Sequence, residues 1–91
     1  MADAAAFTAR LKAEGFQEIL ERDTPAAPTS ATHDHPFDAR VMVLAGQFEL
    51  GRDGVRRAYG PGEWFDVPRG TPHQEGAGPD GAKLLVGRRH P

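Results

Sequence analysis

Gly62-Glu63-Trp64-Phe65-Asp66-Val67-Pro68-Arg69-Gly70-Thr71-Pro72-His73 is the stretch from which the chain can be read. Residues 64–67 form a short aromatic and apolar run. Pro68 and Gly70 close it as a turn does, because proline fixes φ and glycine reaches left-handed backbone conformations that other residues avoid. A histidine, His73, follows that turn. Upstream, His33-Asp34-His35 supplies two more imidazoles. In a strand successive side chains face opposite ways, so His33 and His35 project from one face, roughly 7 Å apart at the backbone. Both can then reach one ion. Neutral imidazole nitrogens hold a divalent metal at roughly 2.0–2.2 Å, and His73 from a distant strand would complete a facial set with positions left open. The competing reading of the same residues is three polar core histidines satisfied by hydrogen bonds.

The remaining chain reads as scaffold. Asp3 can cap a short helix within residues 1–15, with Phe7 and Leu11 four apart on one face and Gly15 placed to stop it, so that the helix lids one end of the core. Residues 16–22 alternate weakly as a strand that Pro25 and Pro28 end. From Thr29 onward, short apolar segments alternate with turn signals at intervals of roughly eight to twelve residues, the pattern of an all-β sandwich or barrel. The segments are 30–35, 40–45, 47–50, 55–59, 64–67, 72–75 and 82–88. Gly46 divides the second from the third, Asp53-Gly54 marks a hairpin, and 76–81 reads as a loose glycine-rich loop. Together with residues 16–22 this gives about eight strands in one domain spanning residues 1–91, with the barrel over 29–89.

Composition narrows the chemistry. The 91 residues contain no cysteine, so disulfides and thiolate metal sites are excluded, and imidazole and carboxylate are the available ligands. Thirteen acidic and eleven basic residues give a net charge of −2, and the scattered bases leave no footprint for nucleic acid or an anionic membrane. No apolar run approaches a bilayer span, and acidic Asp3 stands where a signal peptide carries basic residues. The expectation is a soluble cytoplasmic protein. Its alanine, glycine, proline and arginine usage suits a GC-rich bacterial genome.

With His33, His35 and Gly46, and with Gly62, Pro68, Gly70 and His73 in register, the chain resembles the cupin family, in its small single-domain, conserved-barrel form. The resemblance runs over residues 29–86. In cupins a first motif sets two histidines one residue apart, then a glutamate, then a glycine. A second runs glycine, five residues, Pro-x-Gly, two residues, histidine, three residues, asparagine. The resemblance implies a jelly-roll-like barrel with one divalent metal in its mouth, iron, manganese, nickel or zinc, and a homodimer. It also exposes departures: Ala39 stands where the liganding glutamate would be, Ala77 where the asparagine would be, and Ala27 where the first motif's leading glycine would be.

Losing the glutamate leaves three neutral ligands and the full charge of the metal, which favours an anionic or oxygen-rich ligand in the vacated position. Asp38 is the nearest carboxylate, but strand alternation aims it away from the side that Ala39 faces. Arg40 is aimed away for the same reason. Glu75, two residues from His73 on the same face, could accept hydrogen bonds behind the ligands, act as acid or base, or be a fourth ligand; a solvated strand carboxylate is the alternative. Phe37, Met42, Phe48, Trp64 and Phe65 are expected in the core or cavity wall, and His90 as a frayed surface residue. The functional expectation is a metal held by His33, His35 and His73 and presented to a small-molecule ligand, as an oxygenase or as an isomerase or lyase. A non-catalytic ligand-binding or sensory protein is the alternative.

Overall fold

The computed structural model describes residues 3–91, which form one short helix and five strands. Helix α1 spans Ala4–Ala13, with the Asp3 carboxylate accepting from the Ala6 N–H at 2.9 Å as its N-cap and Gly15 at φ 82° beyond its end. The strands are β1 (Glu18–Thr24), β2 (Asp38–Arg52), β3 (Val55–Tyr59), β4 (Trp64–Val67) and β5 (Gln74–Arg89). They pair antiparallel in the order β1-β5-β2-β3, with β4 also on β2, and the sheet does not close on itself.

The all-β class stands, but five strands replace the expected eight or so, because two turn signals lie inside strands and residues 30–35 form no strand. Gly46 does not end a strand; it bends one. Its φ of 77° and the register shifts on either side of it fold β2 into two halves, and a Cβ there would run into the Gly81 carbonyl oxygen. The glycine-rich segment 76–81 is likewise not a loop, because β5 runs through it and bends with β2. The two halves of β2 face one another across the interior: Phe48 in the second half stacks on Phe65 of β4, which pairs with the first half, at 5.7 Å between ring centroids.

Alternation then assigns the faces. Inside lie Ala39, Val41 and Val43 of β2, Leu84 and Val86 of β5, Phe65 and Val67 of β4, and Phe48, Leu50 and Tyr59 from the other half. A second cluster of Phe7, Leu11, Phe16, Met42 and Leu85 lies on the outer face, so α1 covers the back of the sheet and does not lid its end. Leu11 is fully buried there because Gly87 has no side chain to oppose it; a Cβ at Gly87 would sit 2.7 Å from Leu11 Cδ2. Trp64, expected in the core, is also on this outer side and half exposed, since Phe65 and Val67 take the inward parity of β4. No helix among the described residues is long and apolar enough to cross a membrane.

Candidate metal centre

Residues 30–35 are expected as a strand, but they pair through a single isolated bridge, His33 to His73, with Pro28 and Pro36 limiting the ladder. His33 is nonetheless fixed against His73 by a reciprocal pair of backbone bonds, 3.0 and 2.9 Å. Ser30 does the same for Glu75: its N–H donates to the Glu75 carbonyl at 2.7 Å and its hydroxyl accepts from the Glu75 N–H at 3.0 Å. The Pro68–Thr71 turn is closed by the Thr71 N–H on the Pro68 carbonyl, with Gly70 at φ 75° as a type II turn asks of its third residue. Its Gly70 N–H donates to the His35 carbonyl at 2.9 Å. The His33–His35 pair is thus tied through the backbone to the distant His73 and the turn before it.

Their rings meet, with centroids 4.4 Å apart for His33 and His73 and 5.0 Å for each of the other two pairs. The Nδ1 atom of His33 lies 3.1 Å from the Ala31 carbonyl, and that of His73 lies 2.8 Å from the Thr71 carbonyl. A carbonyl can only accept, so Nδ1 carries a hydrogen, and in the neutral ring the lone pair is on Nε2. His35 is oriented by its stack on Phe37, 4.8 Å away and nearly parallel. Burial, followed by the neighbouring His73, holds the His35 pKa below the ordinary imidazole value, which favours its neutral form.

Glu75 completes the group. Its two carboxylate oxygens lie 3.4 Å from His33 Nε2 and 3.4 Å from His73 Nε2. One possible ligand atom from each of His33, His35, His73 and Glu75 falls within a 4.8 Å cluster, so the four could hold a metal ion. Neutral imidazole lone pairs facing a carboxylate are acceptors facing an acceptor, which a cation between them resolves. His73 shows the need most sharply: it is 1% exposed, and its Nε2 is buried without a hydrogen-bond partner among the described residues. The residues present therefore fit a divalent metal.

Beneath the rings is a cavity of about 50 Å³, walled by hydrocarbon from Ala39, Val41, Phe48, Phe65 and Val86, with Glu75, Arg22 and Arg88 also lining it. Asp38 is no substitute for the missing glutamate. Its carboxylate accepts from the Arg69 N–H at 2.9 Å and pairs with Arg89, which brace the turn before His73. Arg40 points to the outer face, bonded to Asp66 at 2.7 Å and Glu14 at 2.9 Å between the rings of Phe16 and Trp64. His90, expected to fray, is instead held: its ring bonds Glu18 and its N–H donates to Gln17 Oε1 at 2.8 Å. The positioning role of Ser30 carried no sequence signal, since a serine in a proline-rich connection looks like any loop polar residue.

Comparison with known proteins agrees with this architecture. A Rhizobium leguminosarum protein of unknown function superposes with a TM-score of 0.72 at 22% identity, covering 80% of this chain and 69% of its own. A Ralstonia eutropha protein described as a putative mannose-6-phosphate isomerase gives 0.64 at 23%, covering 80% and 71%. The polyketide cyclase RemF of Streptomyces resistomycificus gives 0.64 at 28%, and this chain spans 77% of itself but only 52% of that protein. No curated protein matches the sequence. The family model described as Cupin domain matches residues 19–86, from β1 almost to the end of β5, and the chain belongs to the cupin family.

Proposed function

We propose that His33, His35, His73 and Glu75 bind one divalent metal ion and that the protein presents it to a small oxygen-bearing ligand. The observation that carries this reading is the buried, unpartnered Nε2 of His73, set among two other imidazoles and a carboxylate. Glu75, reaching in from β5, supplies the carboxylate whose usual place in the family is taken by Ala39. When bound, such an ion offers Lewis-acid polarisation of a ligand oxygen, or dioxygen chemistry if it is iron. The chain's own part is to keep the imidazoles correctly turned, and to keep the space beside them small and apolar.

The test is elemental analysis of protein purified without a histidine tag, together with a His73→Ala variant. About one equivalent of metal is expected in the parent and little in the variant. A parent that is metal-free and refuses added zinc, iron, manganese and nickel removes the reading.

A sensory or ligand-binding role has one specific observation in its favour. Every carboxylate and imidazole lining the cavity, Glu75, His35 and His73, belongs to the donor cluster, so none is left there as a separate acid or base. Turnover of small hydroxy acids and diketones, with oxygen uptake followed in parallel, distinguishes this from an oxygenase, isomerase or lyase.

A further inference from the structure

We infer that the ligand carries a carboxylate, and that Arg88 and Arg22 receive it in the space that Ala39 leaves open. This rests on the metal reading above and adds the charge and location of the ligand's anchoring group.

Ala39 sits on the inner face of β2 with Arg88 as its direct cross-strand partner on β5 and Val67 on its other side. Where the family pattern has a glutamate, this chain therefore has a methyl group next to a guanidinium. A side chain shortened from carboxyethyl to methyl leaves room for about one carboxylate, which suits the cavity of about 50 Å³ that Ala39, Arg22 and Arg88 line with His35, His73 and Glu75. That is well below the few hundred Å³ of a pocket that swallows a whole drug-sized molecule, so only the reacting end of a ligand enters.

The two guanidiniums differ in exposure: Arg88 is half-buried and short of partners, whereas Arg22 is exposed where it lines the cavity. Arg88 lies over the Phe37 ring, 5.0 Å from its centroid, and Phe37 in turn stacks on His35, so the cation is held beside the donor cluster. Among the described residues its Nε is buried with no hydrogen-bond acceptor, and its only carboxylate neighbour is Glu18 at 3.9 Å, which also bonds His90. A buried N–H donor on a permanent cation calls for an anionic acceptor. Arg22 shares the inner face of β1 with Leu20, two residues away, and forms no ion pair or side-chain hydrogen bond among the described residues. The other arginines contrast with it: Arg10, Arg40, Arg56, Arg57, Arg69 and Arg89 each have a carboxylate within 4.0 Å, and Arg52 donates to the Asp66 carbonyl. A guanidinium edge matches a planar carboxylate through paired N–H bonds, which places the ligand's adjacent oxygen toward the histidines. The class indicated is a small carboxylic acid with a hydroxyl or carbonyl oxygen on the neighbouring carbon.

Calorimetric titration of lactate, of its neutral counterpart lactamide and of inorganic phosphate tests this on zinc-loaded and on chelator-treated protein. Zinc stoichiometry is measured on the same samples. Lactate is expected to bind the zinc-loaded parent about tenfold or more tightly than lactamide, and Arg88→Met and Arg22→Gln to lose most of that preference. Both variants keep the zinc content of the parent, and Arg40→Met on the outer face keeps the preference as well. Equal binding of lactate and lactamide, tighter binding of phosphate, or a preference that survives both arginine substitutions overturns the inference while a stoichiometric zinc content leaves the metal reading intact. If zinc does not bind, the metal reading falls by itself. The chelator-treated protein then decides this one: arginine-dependent lactate binding supports the carboxylate site, and no lactate binding overturns it.

Discussion

The two faces of β2 at residues 39 and 40 treat basic side chains in opposite ways. On the outer face Arg40 is saturated: two carboxylates bond it, two aromatic rings sandwich it, and its pKa is raised, first by Asp66 and then by Glu14 against the cost of burial. On the inner face Arg88 and His73 each keep a buried nitrogen with no partner. Folding can satisfy polar groups when they fasten one element to another, as Arg40 fastens the end of α1 to β4. Groups left unsatisfied inside a small domain cost stability, and on the proposed reading a bound metal and its ligand would offset that cost on the inner face.

Breaking the inner face should therefore abolish binding and spare folding, and breaking the outer face should do the reverse. The largest effect expected is on metal binding: His73→Ala weakens zinc affinity by about 100-fold or more, whereas Glu75→Gln, which keeps the shape and removes the charge, costs about tenfold. Competition against a chromophoric chelator measures both, and unchanged affinity in either variant would remove that residue from the donor set. On the outer face, Leu11→Ala empties a fully buried site beneath α1 and should lower unfolding free energy by about 2–5 kcal/mol in urea, with metal stoichiometry intact. Loss of metal in folded Leu11→Ala protein would show that the two faces are coupled.

Acid sharpens the same division. His35 has its pKa held below the ordinary imidazole value, chiefly by burial, so the folded metal-free protein binds fewer protons there than the unfolded chain does. Its contribution makes stability rise with pH between the lowered value and about 6.5, and fall as pH drops through that window. Metal affinity should weaken over the same range as protons compete for imidazole lone pairs. Thermal melting of chelator-treated protein from pH 7.5 to 5, beside metal titrations at the same pH values, checks both slopes. A metal affinity indifferent to pH across that range argues against imidazole ligands.

How much of this was legible in the sequence follows from range. The His-x-His pair, the Pro-x-Gly turn and the spacing to His73 are local, and they led to the fold and to three of the four clustered donors. Strand parity alone aimed Asp38 and Arg40 away from the site and Glu75 toward it, as the structure has them. What failed was the meaning of glycine. Gly46 and the 76–81 segment looked like strand ends because glycine more often marks a turn. In a sheet that must fold over itself, the same residue marks where a long strand bends. Arg22 and Arg88 could not be placed either, since bringing both to the lining of one cavity depends on β1 joining β5, a pairing between residues 18–24 and 82–88 that no local pattern announces.

The smallest expected effect lies on the seam between the two faces. Asp38 begins β2, and its carboxylate is held below the usual range, first by the Arg69 backbone N–H and then by the Arg89 side chain, against the desolvation that opposes them. A depressed carboxylate contributes stability that is fully present above its unfolded value near 4 and is lost as pH falls through the lowered folded value. Asp38→Asn should accordingly lower the melting temperature by a few degrees at pH 7 and by less as the pH approaches 3, where the parent has lost the same charge. Because the Arg69 N–H lies within the turn that leads to His73, the variant should also bind metal more weakly, by a few-fold. Asparagine retains an acceptor oxygen for that N–H but cannot hold Arg89 by charge. If Asp38→Asn melts lower yet binds metal as the parent does, the brace serves the fold alone, and the backbone bonds from Gly70 and His73 suffice to set the ring.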